Sequence, residues 1–460
     1  MSTTTSLPVR LEALLGRDRV AASENDLQAF AIAGRTPAAV LKPQNAQEVA
    51  EGVRFAAVEK LAMVCCGSRS KLEIGMPPQR YDLALDMTGL GEIAHYDPAD
   101  LTLSVEAGMP LAMLEFALKE KGQFLPLAVP FLDSATVGGA VVSGIDSTLR
   151  QQYGTTRDFL IGAEFADGKG QICKSGGRVV KNVTGYDLHK LLIGSLGTLA
   201  AVTRLNFRTF PLPETYAGHL SSFSDAESAM HYRVALLKSG LSLSNLEVMS
   251  PEFSTMAAKW LKAANQAIPE PLSSRDWNVY AACEGNKAVV QRVTREVEIH
   301  SAAAQAEKSE TLSASADENV GGFLRETYNY LIWASPSVAL MRIALPNFTA
   351  GDAIEMLRFA QGGSLLCAFA LRACGVAYLA LLAEGEDAPA MDALSRAATD
   401  VFSSVAKKGG AATMLHAPLV VKQRAGIWGV KPPDFSLMQR VKAAFDPQNI
   451  FAPGRFLGGL

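Results

Sequence analysis

Near the start of the chain, hydrophobic residues first follow a helical period and then form a continuous run. Val49 and Val53 lie four positions apart, on one face of a predicted helix that begins after Asn45, a residue typical of helix starts. An alternating run at 38–42 precedes the helix, and an apolar run at 61–65 follows it. The pattern therefore predicts a strand–helix–strand unit in this region.

Later in the chain, helical and strand-like runs alternate without a strict repeat. The apolar runs at 277–285 and 376–383 predict strands, and the spacing over 225–240 predicts a helix. The polar stretch 308–322 is expected to be an exposed loop. Together these segments predict an α+β domain over residues 215–419, built on an antiparallel sheet.

The chain has 460 residues, more than one hydrophobic core usually organises, so at least two domains are expected. After Pro211 and Pro213, the sequence changes from glycine-rich motifs to alternating helical and strand-like runs. We expect a first domain over residues 1–214, the α+β domain described above, and a C-terminal segment, 420–460, that returns to the first domain.

Composition excludes several classes of function. Hydrophobic residues make up 48% and charged residues 19%, and 43 Lys and Arg nearly balance 46 Asp and Glu. This balance gives no basic field for nucleic acid and no polybasic membrane anchor. The N-terminus lacks an apolar leader, and no apolar run is long enough to span a bilayer. We expect a cytoplasmic protein that contacts a membrane only through a partner.

The six cysteines are scattered, and none forms a C-x-x-C pair. Iron–sulfur clusters and structural zinc need clustered thiolates, so both are disfavoured, and no histidines stand at metal-ligand spacing. Cys65 and Cys66 are adjacent at the end of an apolar run, where they are expected to be small buried residues. No metal site is predicted.

The candidate chemistry centres on a glycine-rich stretch over residues 176–205. Gly185, Gly194 and Gly197 surround a polar segment that leads into a predicted strand. Glycine adopts φ > 0 and lets a ligand approach without a Cβ in the way, so main chain here can pack against a flat or anionic ligand. A plain turn between a helix and a strand is the alternative.

Three further motifs accompany this stretch: CGSRSK at 66–71, ATVGGA at 135–140, and YG at 153–154. In this order they resemble the flavin-binding domain of the vanillyl-alcohol oxidase superfamily, also called PCMH-type. The string KNVTGYDLHKLLIGSLGTL is similar to the FAD-binding subunits of bacterial glycolate oxidases. The resemblance covers residues 30–214 and returns at 445–459.

The resemblance implies an α+β protein: a PCMH-type FAD-binding domain of two α/β subdomains, plus an α+β cap domain with an antiparallel sheet. Some members of the family bind FAD covalently through His, Cys or Tyr, but here the loop at 67–71 offers serine and lysine and no histidine lies between His95 and His189, so non-covalent FAD is expected. The residues that the resemblance places at the cofactor are Gly67, Ser68, Arg69, Ser70, Lys71, Ala135, Thr136, Gly138, Gly139, Ser143, Tyr153, Gly185, Tyr186, Gly197, Thr198 and Leu199. In the family, the loop that corresponds to 67–71 binds the FAD pyrophosphate and often has glycines where Ser68 and Arg69 stand here. The loop 67–71 of this chain is therefore expected to differ in shape from that of its relatives.

Other roles stay open for parts of this set. The loop at 67–71 could be a solvated polar turn, and Gly138 and Gly139 could form a helix-packing face. The closing tail could be an anchor without ligand contact. A nucleotide-binding protein without flavin is a further alternative, although no dinucleotide fingerprint follows a predicted strand.

By resemblance, the chain is the FAD-binding subunit of a 2-hydroxy-acid (glycolate) oxidase or dehydrogenase complex. The flavin would accept hydride from the α-carbon and pass electrons to an iron–sulfur partner, beside a second flavin subunit. No catalytic base can be named, because His416 has no partner histidine nearby; Arg342, Tyr328 and Tyr330 are candidates only as polar cap residues. The alternative is an accessory flavin-carrying or electron-relay subunit, with catalysis in a sister subunit.

Overall fold

A computed structural model describes residues 6–178, 185–359 and 365–460. The first sheet has four strands in the order β1-β2-β4-β3, and its last three strands are parallel. Its elements are α1 (Leu7–Leu15), β1 (Val20–Ala21), α2 (Glu24–Gln28), β2 (Ala39–Leu41), α3 (Ala46–Glu59), β3 (Met63–Cys66) and β4 (Leu83–Asp86).

The predicted strand–helix–strand unit is β2, α3 and β3. Asn45 caps α3 by accepting a 2.9 Å hydrogen bond from the backbone of Glu48. The helix ends at Lys60, whose left-handed backbone turns the chain toward β3. The cap and the apolar helix face together place β3 beside β4, at one end of the sheet.

The second sheet has five strands in the order β5-β6-β10-β8-β9, and a two-stranded ribbon joins β7 to β11. Its elements are β5 (Ile93–Asp97), β6 (Thr102–Glu106), α4 (Leu111–Lys119), β7 (Gln123–Phe124), α5 (Val137–Ser143), α6 (Arg150–Tyr153), α7 (Thr156–Phe159), β8 (Leu160–Ala166), β9 (Ile172–Gly176), β10 (Ala201–Arg208) and β11 (Phe210–Pro211).

The third sheet has eight antiparallel strands in the order β15-β12-β14-β13-β17-β18-β16-β19. The elements are β12 (Thr215–Phe223), α8 (Ala226–Lys238), β13 (Asn245–Met249), α9 (Pro251–Ala263), β14 (Trp277–Gly285), α10 (Lys287–Ala303), β15 (Lys308–Thr311), α11 (Ala314–Ala334), β16 (Val338–Ala344), α12 (Ala350–Arg358), β17 (Leu365–Arg372), β18 (Val376–Ala383), α13 (Ala388–Lys407), β19 (Ala411–His416), α14 (Leu419–Ala425) and α15 (Phe435–Phe445). The predicted fold class, α+β with an antiparallel cap sheet, is confirmed.

The prediction of an exposed loop over 308–322 is wrong. This segment forms edge strand β15 and the first turns of α11, which Ser313 caps by accepting a hydrogen bond from the backbone of Ala316. Polar residues dominate because the strand lies at a sheet edge and the helix exposes one face. The buried face, which includes Val320 and Phe323, has too few apolar residues in this window to show a period.

Two apolar clusters cover the faces of the third sheet. Helices α8, α10, α12 and α13 pack on one face. On the other face, α9 and α11 share a cluster with Ile74 and Ile145 from the first part of the chain. The tail also crosses back, since Met63 of β3 exchanges backbone hydrogen bonds with Ile450 and Ala452. The cap sheet, the first two sheets and the tail therefore meet in one region. Within the described residues, no helix has the length and hydropathy to cross a membrane.

Candidate functional site

A cleft that is open to solvent begins at the carboxyl end of β3, and its empty space, including the solvent at its mouth, is about 770 Å³. Its walls are the loop 67–71, the helix α5, the segment 196–202 and Arg455. We call it the cofactor cavity. Ten of the residues predicted for FAD line it: Gly67, Ser68, Arg69, Ser70, Lys71, Thr136, Gly138, Gly139, Ser143 and Gly197.

The loop after β3 offers free backbone donors to the cavity. Within the described residues, the backbone amides of Ser68, Arg69, Ser70 and Lys71 donate no hydrogen bond to protein. Successive free amides form a concave site for an anion. Arg69 adopts φ 68°, a left-handed conformation that costs a non-glycine residue roughly 1–2 kcal/mol. Arg69, at a position where relatives often have glycine, therefore adopts a backbone conformation that is typical of glycine and strained for arginine.

Arg455 supplies a buried cation to the same cavity. Its Nη2 donates 2.6 Å hydrogen bonds to the carbonyls of Leu72 and Ile74. Its Nε and Nη1 are buried and have no hydrogen-bond partner among the described residues. Burial lowers the pKa of this guanidinium, which still stays protonated at neutral pH. A buried, half-paired guanidinium is expensive unless an anionic or carbonyl ligand completes it.

The glycines around the cavity are required for different physical reasons. A Cβ at Gly67 would lie 2.2 Å from Oγ1 of Thr136, and one at Gly138 would lie 2.8 Å from Ala107. These two glycines allow close packing of protein against protein. For Gly138, this is the role that the helix-packing alternative describes. Gly197 differs, because a Cβ there has room but its φ of 69° is left-handed.

Six predicted cofactor residues do not line the cavity. Ala135 is fully buried beside it, and Thr198 and Leu199 face an outer apolar groove. Tyr153 donates a short hydrogen bond to Glu284 of β14, which ties α6 to the cap sheet. Gly185 has open space around it, and Tyr186 is 88% exposed. Residues 179–184 of the glycine-rich stretch lie outside the described residues.

Sequence reasoning did not include several lining residues. Besides Arg455, these are Val64, Cys65, Cys66, Leu72, Ile74, Met87, Ala107, Val142, Leu196, Ala200 and Val202. The carboxyl end of a parallel strand was the available signal for the first three, because ligands gather at that edge. Burial raises the pKa of the Cys66 thiol to about 12 and also raises that of Cys65, so both stay protonated and unreactive.

A second, small cavity of about 30 Å³, room for about one water, lies between α11, the cap sheet and the first part of the chain. We call it the cap cavity. The residues that line it are Pro130, Ile145, Glu247, Phe253, Leu324, Arg325, Thr327, Tyr328, Leu340, Ala370, Arg372, Tyr378 and Leu415. Ile145 and Leu340 belong to the same apolar cluster as Ile74 and Leu196, which line the cofactor cavity. The two cavities therefore border one shared wall.

Lys71 stands at this wall. It lines the cofactor cavity, while its Nζ lies 3.4 Å from the carbonyl of Pro130, which lines the cap cavity. The same Nζ lies 5.3 Å from the ring centre of Phe131. Burial lowers the pKa of Lys71 to about 8, and the negative charge of Glu326 partly opposes this shift. The ammonium therefore presents a positive charge to both cavities at neutral pH.

Each of the two arginines in the strands of the cap sheet forms an ion pair with a carboxylate. Arg342 contacts Asp146 at 2.6 Å, and Nε of Arg372 donates to Glu247 at 3.0 Å. Arg372 also donates to the backbone carbonyl of Asp146 at 2.7 Å. Arg342, a catalytic candidate by sequence, is thus an ion-pair partner that ties the cap sheet to the segment after α5. Of the other candidates, Tyr328 lines the cap cavity, whereas Tyr330 packs against Phe323.

His416 lies beside two residues that line the cap cavity, Leu340 and Tyr328. A β-bulge shifts the register of β19, so that His416 pairs with Leu340, a cavity-lining residue, and the two share a face. Its ring lies 6.4 Å from that of Tyr328, and its Nδ1 is buried with no partner in the described part of the chain. Burial and the charge of Lys422 lower its pKa to about 4, and the charge of Glu73 opposes this shift, so the imidazole is neutral at pH 7.

Comparison with known proteins defines the class. The FAD binding domain family matches residues 37–176, and the family described as FAD linked oxidases, C-terminal domain, matches residues 212–456, more than half of the chain. The chain belongs to the FAD-linked oxidases, as its motifs indicated, and FAD is its cofactor. The family match also covers the cap region, where the motif resemblance was weak.

Individual relatives narrow the likeness. Glycolate oxidase subunit GlcD of Bacillus subtilis (strain 168) is 25% identical over 433 residues, which cover 91% of this chain and 88% of that protein. Glycolate oxidase subunit GlcE of Escherichia coli (strain K12) is 37% identical over 168 residues, 36% of this chain and 47% of that protein. Substrate-bound p-cresol methylhydroxylase has a TM-score of 0.77 at 17% identity, covering 97% of this chain and 95% of that one, which shows a shared fold.

The residues of the cofactor cavity fit FAD. The free amides of the loop 68–71 and the unpaired nitrogens of Arg455 are donors suited to a pyrophosphate or to flavin carbonyl oxygens. Leu196, Ala200 and Val202 supply an apolar wall suited to a flat ring system. When bound, FAD supplies a two-electron acceptor for hydride. The assignment of each predicted residue to a part of FAD stays a prediction.

Proposed function

We propose that this chain is the FAD-binding subunit of a complex that oxidises a 2-hydroxy acid to the 2-oxo acid. The hydrogen on the α-carbon leaves with two electrons to the flavin, the hydroxyl proton passes to His416, and the carbon–oxygen double bond forms. The electrons then pass to an iron–sulfur partner, beside a second flavin subunit. The relatives named as glycolate oxidase subunits and D-2-hydroxyglutarate dehydrogenases support this class of substrate.

The observation that carries the proposal is the unpaired Nδ1 of His416. It is a neutral proton acceptor, buried beside the residues that line the cap cavity and close to Glu73, whose neighbours Leu72 and Ile74 line the cofactor cavity. A general base must lie within hydrogen-bond reach of the hydroxyl proton that it takes, while the α-carbon of the substrate faces the hydride acceptor. No described histidine lines either cavity itself, and His416 is linked to the cap cavity through its neighbours Leu340 and Tyr328.

The test uses the purified, FAD-loaded chain with a dye as electron acceptor. Glycolate, lactate and longer 2-hydroxy acids should yield the matching 2-oxo acids, identified by mass spectrometry. His416→Gln should lower kcat by about 10²–10⁴-fold, the usual contribution of a general base, with unchanged flavin content. His231→Gln, at a site on α8 outside both cavities, serves as the matched control. Normal turnover by His416→Gln would overturn the assignment of this residue.

A second candidate is an accessory subunit that carries flavin and relays electrons while a sister subunit turns over substrate. The specific observation in its favour is that carboxylates pair both cap-sheet arginines, Arg342 and Arg372. Neither guanidinium is then free to hold a substrate carboxylate. In that case the isolated chain would form no 2-oxo acid, although its flavin would accept electrons from the sister subunit.

A further inference from the structure

An apolar groove opens on the outer side of the wall that closes the cofactor cavity. We call it the outer groove, and its space of about 250 Å³ exceeds the roughly 150 Å³ that holds one benzene-sized ring. Its apolar lining comes from two elements, the segment 191–199 and helix α15, through Leu191, Ile193, Leu199, Leu437, Met438 and Val441. The groove therefore has room for large apolar side chains of another molecule.

Helix α15 leaves its apolar face uncovered. Leu437, Met438 and Val441 lie on one side of the helix at helical spacing, yet of the residues that the structure describes in this helix only Lys442 is buried. Leu437 is 48% exposed, and Leu191 on the other side of the groove is 42% exposed. An amphipathic helix normally buries its apolar face, and an exposed apolar concavity marks a site for another protein.

Lys442 is the one charged side chain among the described residues that line the groove. Its Nζ donates hydrogen bonds to the carbonyls of Thr198 and Phe451, at 2.7 and 2.9 Å, and to the carboxylate of Asp446 at 2.7 Å. All three protons of the ammonium are therefore engaged. The groove offers no free cation to a small anion, and its chemistry suits an apolar protein surface instead.

The outer groove and the cofactor cavity share a wall that is one backbone thick. Ser195 and Thr198 line the groove, whereas Leu196 and Gly197 between them line the cofactor cavity. Adjacent backbones lie about 5 Å apart, and a layer with its side chains is about 10 Å thick. Because electron transfer weakens steeply with distance, a redox protein seated in the groove is well placed: only this wall separates it from the flavin site.

Positive charge prevails beside the groove. The sequence of α15 contains no acid, and its Arg440 is exposed. Lys431, just before the helix, is also exposed, against one exposed acid, Asp434. On the other side of the groove, Asp187 forms an ion pair with Lys190. A partner that surrounds an apolar segment with acidic residues complements this surface.

We propose that the outer groove is the docking site of the iron–sulfur partner, which seats an apolar segment with acidic flanks between α15 and residues 191–199. This inference rests on the proposed function. Two electrons leave the reduced flavin, one at a time, for the cluster of the partner, and one proton leaves to solvent. The oxidised flavin is thereby restored for the next substrate.

The first experiment introduces a photo-cross-linking residue, Leu437→benzoylphenylalanine, into the full, FAD-loaded chain, which is tagged and expressed in the cells from which it comes. Irradiation should join the chain to a protein whose absorbance and iron content show an iron–sulfur cluster. The matched control is Leu237→benzoylphenylalanine on α8, where Leu237 is 39% exposed, and it should give no such product. A product with a second copy of this chain or with a protein without a cluster, or no product from position 437, would overturn the proposal.

The second experiment measures the affinity of the chain for the iron–sulfur partner identified in this way. Leu437→Glu places a charge in the apolar groove and repels acidic flanks, so it should weaken binding by about ten-fold or more and slow reoxidation of the flavin by the partner. Leu191→Glu makes the same change on the other side of the groove and covers the case in which Leu437→Glu does not fold. Leu237→Glu is the matched control. Unchanged affinity in folded Leu437→Glu and Leu191→Glu would remove the docking site.

Binding of the partner is measured without turnover, so failure of this inference is distinguishable from failure of the proposed function. Weaker binding by Leu437→Glu, together with a flavin that no 2-hydroxy acid reduces, would support the docking site and contradict the proposed function. Reduction by a 2-hydroxy acid together with unchanged binding of the partner would do the reverse.

Discussion

Arg455 donates a 2.6 Å hydrogen bond to the carbonyl of Ile74, which lies 381 positions earlier in the chain. The same guanidinium keeps Nε and Nη1 buried and unpaired among the described residues, at the wall of the cofactor cavity. Arg455, in the C-terminal segment, thus holds the segment after the loop 67–71 in place. It also offers hydrogen-bond donors to a ligand in the cofactor cavity. Cofactor binding is therefore expected to depend on the C-terminal segment.

Replacing Arg455 by Met should weaken FAD binding strongly. The change removes two donors to the ligand and leaves the carbonyls of Leu72 and Ile74 unpaired, which costs about 1–3 kcal/mol for each lost partner. We expect the dissociation constant of FAD, measured by fluorescence titration, to rise at least ten-fold. Arg424→Met, at an exposed ion pair with Asp392, is the control. An unchanged dissociation constant for Arg455→Met would remove this residue from the site.

Gly197→Val should lower FAD affinity through backbone strain in the wall of the cavity. The φ of 69° costs a β-branched residue on the order of 1–3 kcal/mol. Gly409→Val, with φ 70° after α13 and open space around it, carries the same strain far from the cavity. The measurement is flavin per folded protein. Full occupancy and unchanged affinity in folded Gly197→Val would show that the glycine serves only a structural turn.

FAD is predicted to be bound non-covalently. The thiols nearest the cavity, Cys65 and Cys66, stay protonated because burial raises their pKa, so they are poor nucleophiles. Acid precipitation should release the yellow cofactor into the supernatant. Colour that remains in the pellet after washing would contradict the prediction, and peptide mapping would then locate the attachment.

The stability of the chain should fall with acid through His416. Its folded-state pKa of about 4 is below the ordinary value of 6.5, so between these values the unfolded chain binds more protons than the folded one. The free energy of unfolding should therefore decline as pH falls from 6.5 toward 4, by up to about 3 kcal/mol from this group. His416→Gln should flatten that part of the profile, measured by urea titration. Parallel profiles for both proteins would show that this imidazole is not buried as described.

Local patterns in the sequence were sufficient for much of the fold and for one wall of the site. The helix after Asn45 and the apolar run at 61–65 predicted the strand–helix–strand unit, and the loop 67–71 follows directly from it. Arg455 could not be found this way, because its partners are distant in sequence and meet only through tertiary packing. The hydrogen bond from Tyr153 to Glu284 of the cap sheet could not be found this way either, because the two residues lie 131 positions apart.

The division into residues 1–214, 215–419 and 420–460 stays a prediction. It implies that the cap sheet folds as a unit, so limited proteolysis should cut near residue 214 before it cuts inside the sheet. A deletion of 308–322 should destabilise the cap sheet, because it would remove β15 and the start of α11.

The most direct test of oxidation by this chain is an anaerobic titration of its flavin with a 2-hydroxy acid. No partner subunit and no external acceptor are present, so reduction can come only from a substrate bound to this chain. We expect a 2-hydroxy acid such as glycolate or lactate to bleach the oxidised-flavin absorbance with one equivalent per flavin, and His416→Gln to slow the bleaching by about 10²–10⁴-fold. A flavin that dithionite reduces but that no 2-hydroxy acid reduces would contradict the account and would assign catalysis to a sister subunit.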